Sequence, residues 1–319
     1  MGELVPDLEG FVGVLSVRRG EDVIAEWAVG EADRTAGVPN TLATRFGLAS
    51  GTKTFTALTV LSLVSEGRLR LDTRARELLA DDLPLVADDV TVDHLLTHTS
   101  GIGDYLDEDV DALAPMPVPV QELDSTPAYL RVLDGHPTKF AAGTAFSYSN
   151  GGFVVLALLA ERAAGTPFEQ LVDVRVFRPA GMAWSGFFRT DRLPPGTATG
   201  YLDDGRTNVF QLPVLGSGDG GAYSTVADLH ALWLALTGGR LLDAHHTALA
   251  TEIVSHPEGE NDYGRGVWHA DGDLILSGGD HGVGAVSRHD PRTSTTVTGL
   301  ANAGVPMIDR VAGLMNQLR

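Results

Sequence analysis

The chain has 319 residues, no cysteine, and 42 acidic against 23 basic residues, for a formal charge of −19. That balance argues against nucleic acid and anionic membrane surfaces as partners. The missing cysteine excludes disulfides and thiolate metal sites, and no apolar run reaches the ~18 residues of a membrane-spanning helix. A chain of this length buries about three quarters of its unfolded surface, enough for one large domain or two intertwined ones. Met1-Gly-Glu-Leu-Val-Pro-Asp7 has neither the basic nor the apolar stretch of a leader peptide, so the expected location is the cytoplasm.

In chain order, Phe11–Val17 and Val23–Val29 are valine-rich runs split by Arg18-Arg19-Gly20-Glu21-Asp22, the pattern of a β-hairpin. Residues 52–66 predict a helix, with Phe55, Leu58, Leu61 and Val64 at steps of three and Gly67 as its left-handed stop. Thr91–Thr97 predicts a short helix with Thr91 as N-cap, running into Leu95-Leu-Thr-His-Thr-Ser-Gly-Ile102. Residues 103–126 carry Asp104, Asp107, Glu108, Asp109, Asp111 and Pro115, Pro117, Pro119, which reads as an exposed irregular loop with a solvated charge run. Asn150–Ala164 has few polar residues and predicts a buried helix stopped near Gly165; Val226–Leu236 predicts another. After Tyr263 come short β runs at 264–269, 274–277, 284–289 and 295–300, and 305–318 closes as an amphipathic helix. Strands at both ends with a helix-rich middle imply an α+β fold, in which residues 1–70 plus 216–319 form the sheet part and 71–215 a mostly helical part.

Chemistry concentrates at Ser50 and Lys53, an S-x-x-K pair at the start of the first long helix. Residues three apart on a helix face each other at about 5–6 Å between Cβ atoms, so hydroxyl and amine can meet. A serine becomes nucleophilic when an adjacent base takes its proton, and a lysine can be that base once burial lowers its pKa. The chain contains two lysines, Lys53 and Lys139, against 21 arginines, so a deprotonatable amine in an apolar helix stands out. A second constellation lies about 95 residues on. Tyr148 and Asn150, two apart on a turn, place a phenol and a carboxamide on one side of the backbone.

Other motifs carry less. Gly216-Ser-Gly-Asp-Gly-Gly221 matches a dinucleotide fingerprint, but Pro213 interrupts the strand it needs and no acid ends a following strand. His94 and His98 lack the glutamate of a zinc-protease motif and read as structural, and His245-His246 reads as a solvated helix end. No serine has the G-x-S-x-G frame of α/β-hydrolases. No metal and no cofactor is implied.

Together these motifs resemble the serine β-lactamase and penicillin-binding-protein-like hydrolases, in the branch of class C β-lactamases, D-amino-acid peptidases and family VIII esterases. Phe46–Lys53 is similar to the family's nucleophile helix, Leu95–Ile102 to its LLTHTSGI turn, and Tyr148-Ser-Asn150 to its second motif. Phe177-Arg-Pro-Ala-Gly-Met182 and Gly220–Leu229 resemble segments that follow. The resemblance implies Ser50 as acylated nucleophile, Lys53 as base, Tyr148 as proton shuttle and Asn150 as the group orienting lysine and substrate.

The third motif, K-T-G or H-x-G, is altered. In Leu276-Ser277-Gly278-Gly279-Asp280-His281-Gly282, leucine takes the place of lysine or histidine, and Gly279 N–H would complete an oxyanion hole with that of Ser50. A register starting at His281 is the alternative. Leu276 facing the pocket would disfavour carboxylate-bearing substrates, and an acidic 104–111 segment bordering it would favour cationic ones. The resulting expectation is a hydrolase acting on an ester or amide of a small molecule or short peptide, without nucleic acid or membrane partners. Transacylation and a catalytically silent binding role are the alternatives.

Overall fold

The protein is described by a computed structural model covering residues 4–111, 116–304 and 306–319. The N-terminal hairpin forms as the valine-rich runs predict: β1 (Gly13–Arg19) pairs antiparallel with β2 (Asp22–Val29) across a turn in which Gly20 has a φ of 56°. Helix α1 (Thr52–Ser65) follows, stopped by left-handed Gly67. Thr91 caps a short helix at Val92–Leu96 by accepting the His94 N–H. Helix α2 (Asn150–Ala164) begins with the Ser149 hydroxyl accepting the Gly152 N–H at 2.9 Å and ends at left-handed Gly165. Helix α3 (Val226–Thr237) is capped by Thr225.

The C-terminal third supplies β3 (Asp262–Tyr263), β4 (Trp268–Ala270), β5 (Asp273–Asp280), β6 (Val283–Asp290) and β7 (Thr295–Ala301), then helix α4 (Ile308–Gln317). One seven-stranded antiparallel sheet results, in the order β2-β1-β7-β6-β5-β4-β3, so the two ends of the chain meet where β1 pairs with β7. This is the α+β architecture expected. Alternation along each strand sends side chains to opposite faces. Val14, Leu274, Leu276, Ala285 and Leu300 join the larger core, which also contains the apolar sides of α1, α2 and α3. Leu15, Ile275, Val286 and Val297 face the other way and are covered by Val311, Leu314 and Met315 of α4.

Two expectations need correction. Residues 103–126 are not simply a solvated loop. Asp104 is buried and its carboxylate accepts the Gly151 N–H at 2.8 Å, the first turn of α2; Val120 and Leu123 are also buried. Residues 112–115, with Pro115, lie outside the described set. Of the strand expected at 264–269 only Trp268 and His269 lie in a strand, β4, because the chain turns through left-handed Gly266 after β3 ends at Tyr263. Among the described residues no helix is long and apolar enough to cross a membrane.

The glycine-rich 216–221 loop has a packing explanation. It lies across both α1 and α2, with the Thr56 hydroxyl donating to Gly218 O at 2.6 Å and Thr52 Oγ1 accepting the Ala222 N–H at 3.0 Å. A Cβ on Gly218 would stand 2.0 Å from the Phe153 carbonyl oxygen, so only glycine fits. Gly218→Ala should therefore cost roughly 2 kcal/mol as an overpacked backbone site, read as a melting temperature lower by several degrees; an unchanged melting temperature would refute this packing role.

Candidate active site

The nucleophile turn is built by a sharp change of direction. A two-residue strand, Phe46–Gly47, pairs with Tyr223–Ser224; the chain then passes through Ala49 in the left-handed region (φ 45°) into the turn Ala49–Gly51 and α1. A left-handed alanine is unfavourable by roughly 1–2 kcal/mol, so surrounding structure has to hold it. Leu48 N–H donates to Ala222 O at 2.9 Å, anchoring the bend on the glycine-rich loop. Ser50 is left partly exposed at the floor of a cleft of about 1130 Å³.

Lys53 is 3 % exposed. Its Nζ lies 3.0 Å from Ser50 Oγ, 2.7 Å from Asn150 Oδ1 and 3.0 Å from the Asp219 carbonyl oxygen. Two of these partners are oxygens that can only accept, so two N–H bonds are committed to them. The third direction, toward Ser50, holds an N–H when the lysine is an ammonium and the lone pair when it is a neutral amine. Burial lowers the Lys53 pKa, opposed by the negative charges of Asp219, Glu108, Asp104 and Asp280, in that order.

The Tyr148–Asn150 turn reaches the same point from α2. Tyr148 lies close enough to Ser50 for the serine to ease the ionisation of its phenol, and Lys53 Nζ lies 4.7 Å from its ring centroid. Tyr148 is half-buried. Burial first, then the charge of Glu108, pushes its pKa well above the ordinary phenol value. The ring stacks on Trp268 (6.1 Å, 18°) and lies tilted by 39° against His98 (4.4 Å). His98, left-handed at φ 57°, accepts the Ser149 N–H at Nδ1 (3.0 Å), so its proton sits on Nε2. Burial keeps its pKa well below the usual value. Its carbonyl accepts the Ser147 N–H at 3.0 Å, which ties the 95–102 segment to the tyrosine turn. The structural reading of His98 is the one found, with Tyr148 as what it supports.

Asn150 has both amide hydrogens engaged. Its Oδ1 accepts from Lys53, and its Nδ2 donates to Leu106 O at 3.0 Å and Glu108 Oε1 at 2.9 Å. Asp219, whose backbone holds Lys53, accepts a hydrogen bond from the Tyr105 hydroxyl at its carboxylate. Burial raises the Asp219 pKa, partly offset by Lys53. Sequence patterns missed Asp219, Tyr105 and Trp268, and reached Glu108 only as part of the acidic 104–111 segment expected to border the pocket. Each reaches the site through contacts between segments far apart in sequence.

On the opposite side, β5 pairs with β4 only over Asp273–Ile275, so its edge from Leu276 to Asp280 is open toward the nucleophile turn. A Cβ on Gly278 would stand 2.1 Å from Leu48 O and 2.7 Å from Ser50 N, so the strand backbone lies directly against the serine amide. Gly279 and Asp280 line the cleft. His281 lies in the two-residue turn between β5 and β6, off the strand, with its N–H donated to Asp280 and its carbonyl bound by Asn208. Leu276 does not line the cleft as expected. It is fully buried, and a Cβ on Gly51 would stand 2.5 Å from its side chain. Ser277 points to the other face of the strand and does not line the cleft either. Among the described residues no cluster suited to a metal ion is present.

The Beta-lactamase family model matches residues 5–318, and the chain belongs to that family. It is similar to the esterase EstB of Burkholderia gladioli, at 38% identity over 205 residues, covering 61% of this chain and 51% of that one. It is also similar to the putative penicillin-binding protein PbpX of Bacillus subtilis, at 28% identity over 279 residues, covering 86% of this chain and 65% of the other. The chain thus spans between half and two thirds of the length of these two relatives. A solved penicillin-binding protein from Bacillus halodurans superposes with a TM-score of 0.89 at 36% identity, covering 98% of this chain and 97% of that one.

Because Gly278 rests on the Ser50 amide, Gly278→Ala should displace the serine while leaving the core intact. Acylation of Ser50 should fall by about 100-fold, the cost of an ångström-scale misplacement at a reacting centre. Stopped-flow measurement of acylation beside a thermal melt checks this; wild-type rates in the variant would contradict it.

Proposed function

We propose that this chain is a serine hydrolase that forms an acyl-enzyme on Ser50 and cleaves an ester or amide of a small molecule or short peptide. Its cleft lies between a helical lobe, residues 71–215, and a sheet lobe made of the rest. The observation carrying the proposal is the arrangement at Lys53 Nζ: two fixed acceptors and one contact to Ser50. When neutral, the amine uses its N–H bonds on Asn150 and Asp219 and turns its lone pair to the serine hydroxyl. Ser50 Oγ then bonds the substrate carbonyl carbon while its proton passes to Lys53.

The negative charge that develops on the carbonyl oxygen would be met by the N–H groups of Ser50 and Gly279. Tyr148, with its pKa pushed up, stays a neutral phenol near pH 7 and is suited to donate rather than abstract. It would hand a proton to the leaving group and be reprotonated from the Lys53 ammonium. Water then attacks the acyl-enzyme carbonyl and gives a proton to Tyr148 as the neutral phenol passes its own to Lys53, and Ser50 Oγ leaves with the proton that Lys53 returns. Likeness to an esterase and to penicillin-binding proteins supports the reaction class.

Intact-mass spectrometry with activated esters should detect an acyl adduct that Ser50→Ala abolishes. Lys53→Arg should slow acylation by about 10²–10⁴-fold, because a guanidinium cannot accept the proton. An active Lys53→Arg enzyme would overturn the assignment.

The pH profile follows from the same groups. Protonated Lys53 is inactive as a base, so acylation should rise with pH through the lysine's lowered pKa and level off below 10.5, its ordinary value. Asp219 is the strongest of the charges raising that pKa. Asp219→Asn keeps the backbone carbonyl and should move the acid limb to lower pH. An acid limb that stays in place or moves up would contradict the electrostatic account.

A further inference from the structure

Charge is segregated around the cleft. Five acidic residues line it, Glu108, Asp203, Asp204, Asp219 and Asp280, and among the described residues no lysine or arginine does. A second pocket, of about 420 Å³, has the opposite character: Arg34 and Arg206 line it, and among the described residues no acidic one does. The two spaces share Tyr201, Phe210 and Gln211, and Phe210, 79 % exposed, forms a rim between them. Gln211 Oε1 is buried at this junction without a hydrogen-bond partner among the described residues. It is an unmet acceptor on the path from one space to the other.

Arg34 is held in place by a single residue. Its backbone N–H donates to the Tyr201 hydroxyl at 2.8 Å, and its guanidinium lies 4.2 Å from the centroid of the same ring. Tyr201 is buried and its own N–H donates to Asn302 O at 3.0 Å, so the platform is fixed. Stacking uses the face of a guanidinium and leaves its five N–H donors free at the edge. Among the described residues no protein acceptor takes any of them. The adjacent Asp33 is engaged by its own turn, accepting the Thr35 and Ala36 N–H groups at 2.8 and 3.0 Å. Arg206, by contrast, is paired with Asp204 at 2.7 Å.

Tyr148 sets which part of a substrate points this way. As the donor to the leaving group, it places that group on its own side of Ser50. The wide part of the cleft, bounded by Tyr105, Gly220 and Tyr201, lies away from Tyr148 and its supports His98 and Trp268, none of which lines it. The acyl chain leaves the carbonyl carbon in that direction, toward Phe210.

We propose that the pocket at Arg34 is a distal acyl subsite for a carboxylate carried at the far end of the acyl chain. The proposal rests on the serine-hydrolase reading above and narrows its acyl group to a chain that ends in an anion. The chain crosses the cleft and passes Phe210, and its carboxylate takes two N–H groups of the Arg34 guanidinium side by side. A carboxylate on a short acyl group stops among the acidic residues of the cleft and is repelled.

The test compares p-nitrophenyl monoesters of linear dicarboxylic acids with p-nitrophenyl alkanoates of the same carbon number, from six to ten carbons. The leaving group is constant, so the ratio of kcat/KM, diacid over alkanoate, reads the chain end. In wild type this ratio should rise with chain length. At its maximum, Arg34→Gln should lower it about fivefold, the scale of a well-formed ion pair that solvent can reach. The six-carbon ratio and alkanoate turnover should change by less than about twofold in the same variant. The gap between wild type and variant should close as salt is raised.

A ratio that does not rise with chain length, or that is the same in Arg34→Gln at every length, would overturn the proposal, while alkanoate turnover leaves the hydrolase reading standing. No turnover of any ester, together with no adduct at Ser50 from a fluorophosphonate, would overturn the hydrolase reading and this inference with it. If Ser50 labels but no ester turns over, protection from labelling decides. The monomethyl ester of decanedioic acid should protect wild type better than Arg34→Gln, and equal protection would refute the proposal.

Discussion

The site depends on one buried amine with a fixed set of neighbours. Lys53 sits where water cannot solvate its charge, which lowers its pKa, and two acceptor-only oxygens orient what hydrogens it keeps. Four carboxylates temper the effect of burial without cancelling it. The remainder of the fold supplies those neighbours. Helix α1 carries the lysine, α2 brings Asn150, and the glycine-rich loop brings the Asp219 carbonyl. Each acceptor comes from a different segment, so the state of one proton depends on the packing of three elements.

That dependence explains several features with no direct chemical role. Gly218 lets the loop approach Phe153 closely enough to reach Lys53. Gly278 lets an open strand edge lie on the Ser50 amide, and the left-handed Ala49 turns the serine out of the core into the cleft. His98 supports the tyrosine ring from behind, and Trp268 stacks on it from β4. Tyr148 is thereby held against Ser50 in surroundings that keep its phenol protonated.

Much of this was legible in the sequence because it is local. The spacing of Ser50 and Lys53, the turn from Tyr148 to Asn150, the left-handed glycines at 67 and 165 and the valine-rich strands are all encoded within a few residues. Leu276 was placed on the correct strand, but its orientation was not legible. Which face of β5 meets the core depends on how that strand docks on the nucleophile turn, and Gly51 provides the space it fills. Glu108 lay in what read as a solvated acidic run, and Asp219 in what read as a nucleotide-binding decoy. Both roles come from contacts over 42 and 166 residues of sequence, which no periodicity records.

The chain contains only two lysines, which makes the central claim directly measurable. Protein labelled with ¹³C at lysine Cε should give two titrating signals, assigned with Lys139→Arg. The account requires the Lys53 signal to titrate below 10.5, the ordinary lysine value from which burial lowers it, and to move lower still in Asp219→Asn. A Lys53 signal that titrates at or above the ordinary value would show an ammonium facing Ser50 across the working pH range, and the lysine could not be the base.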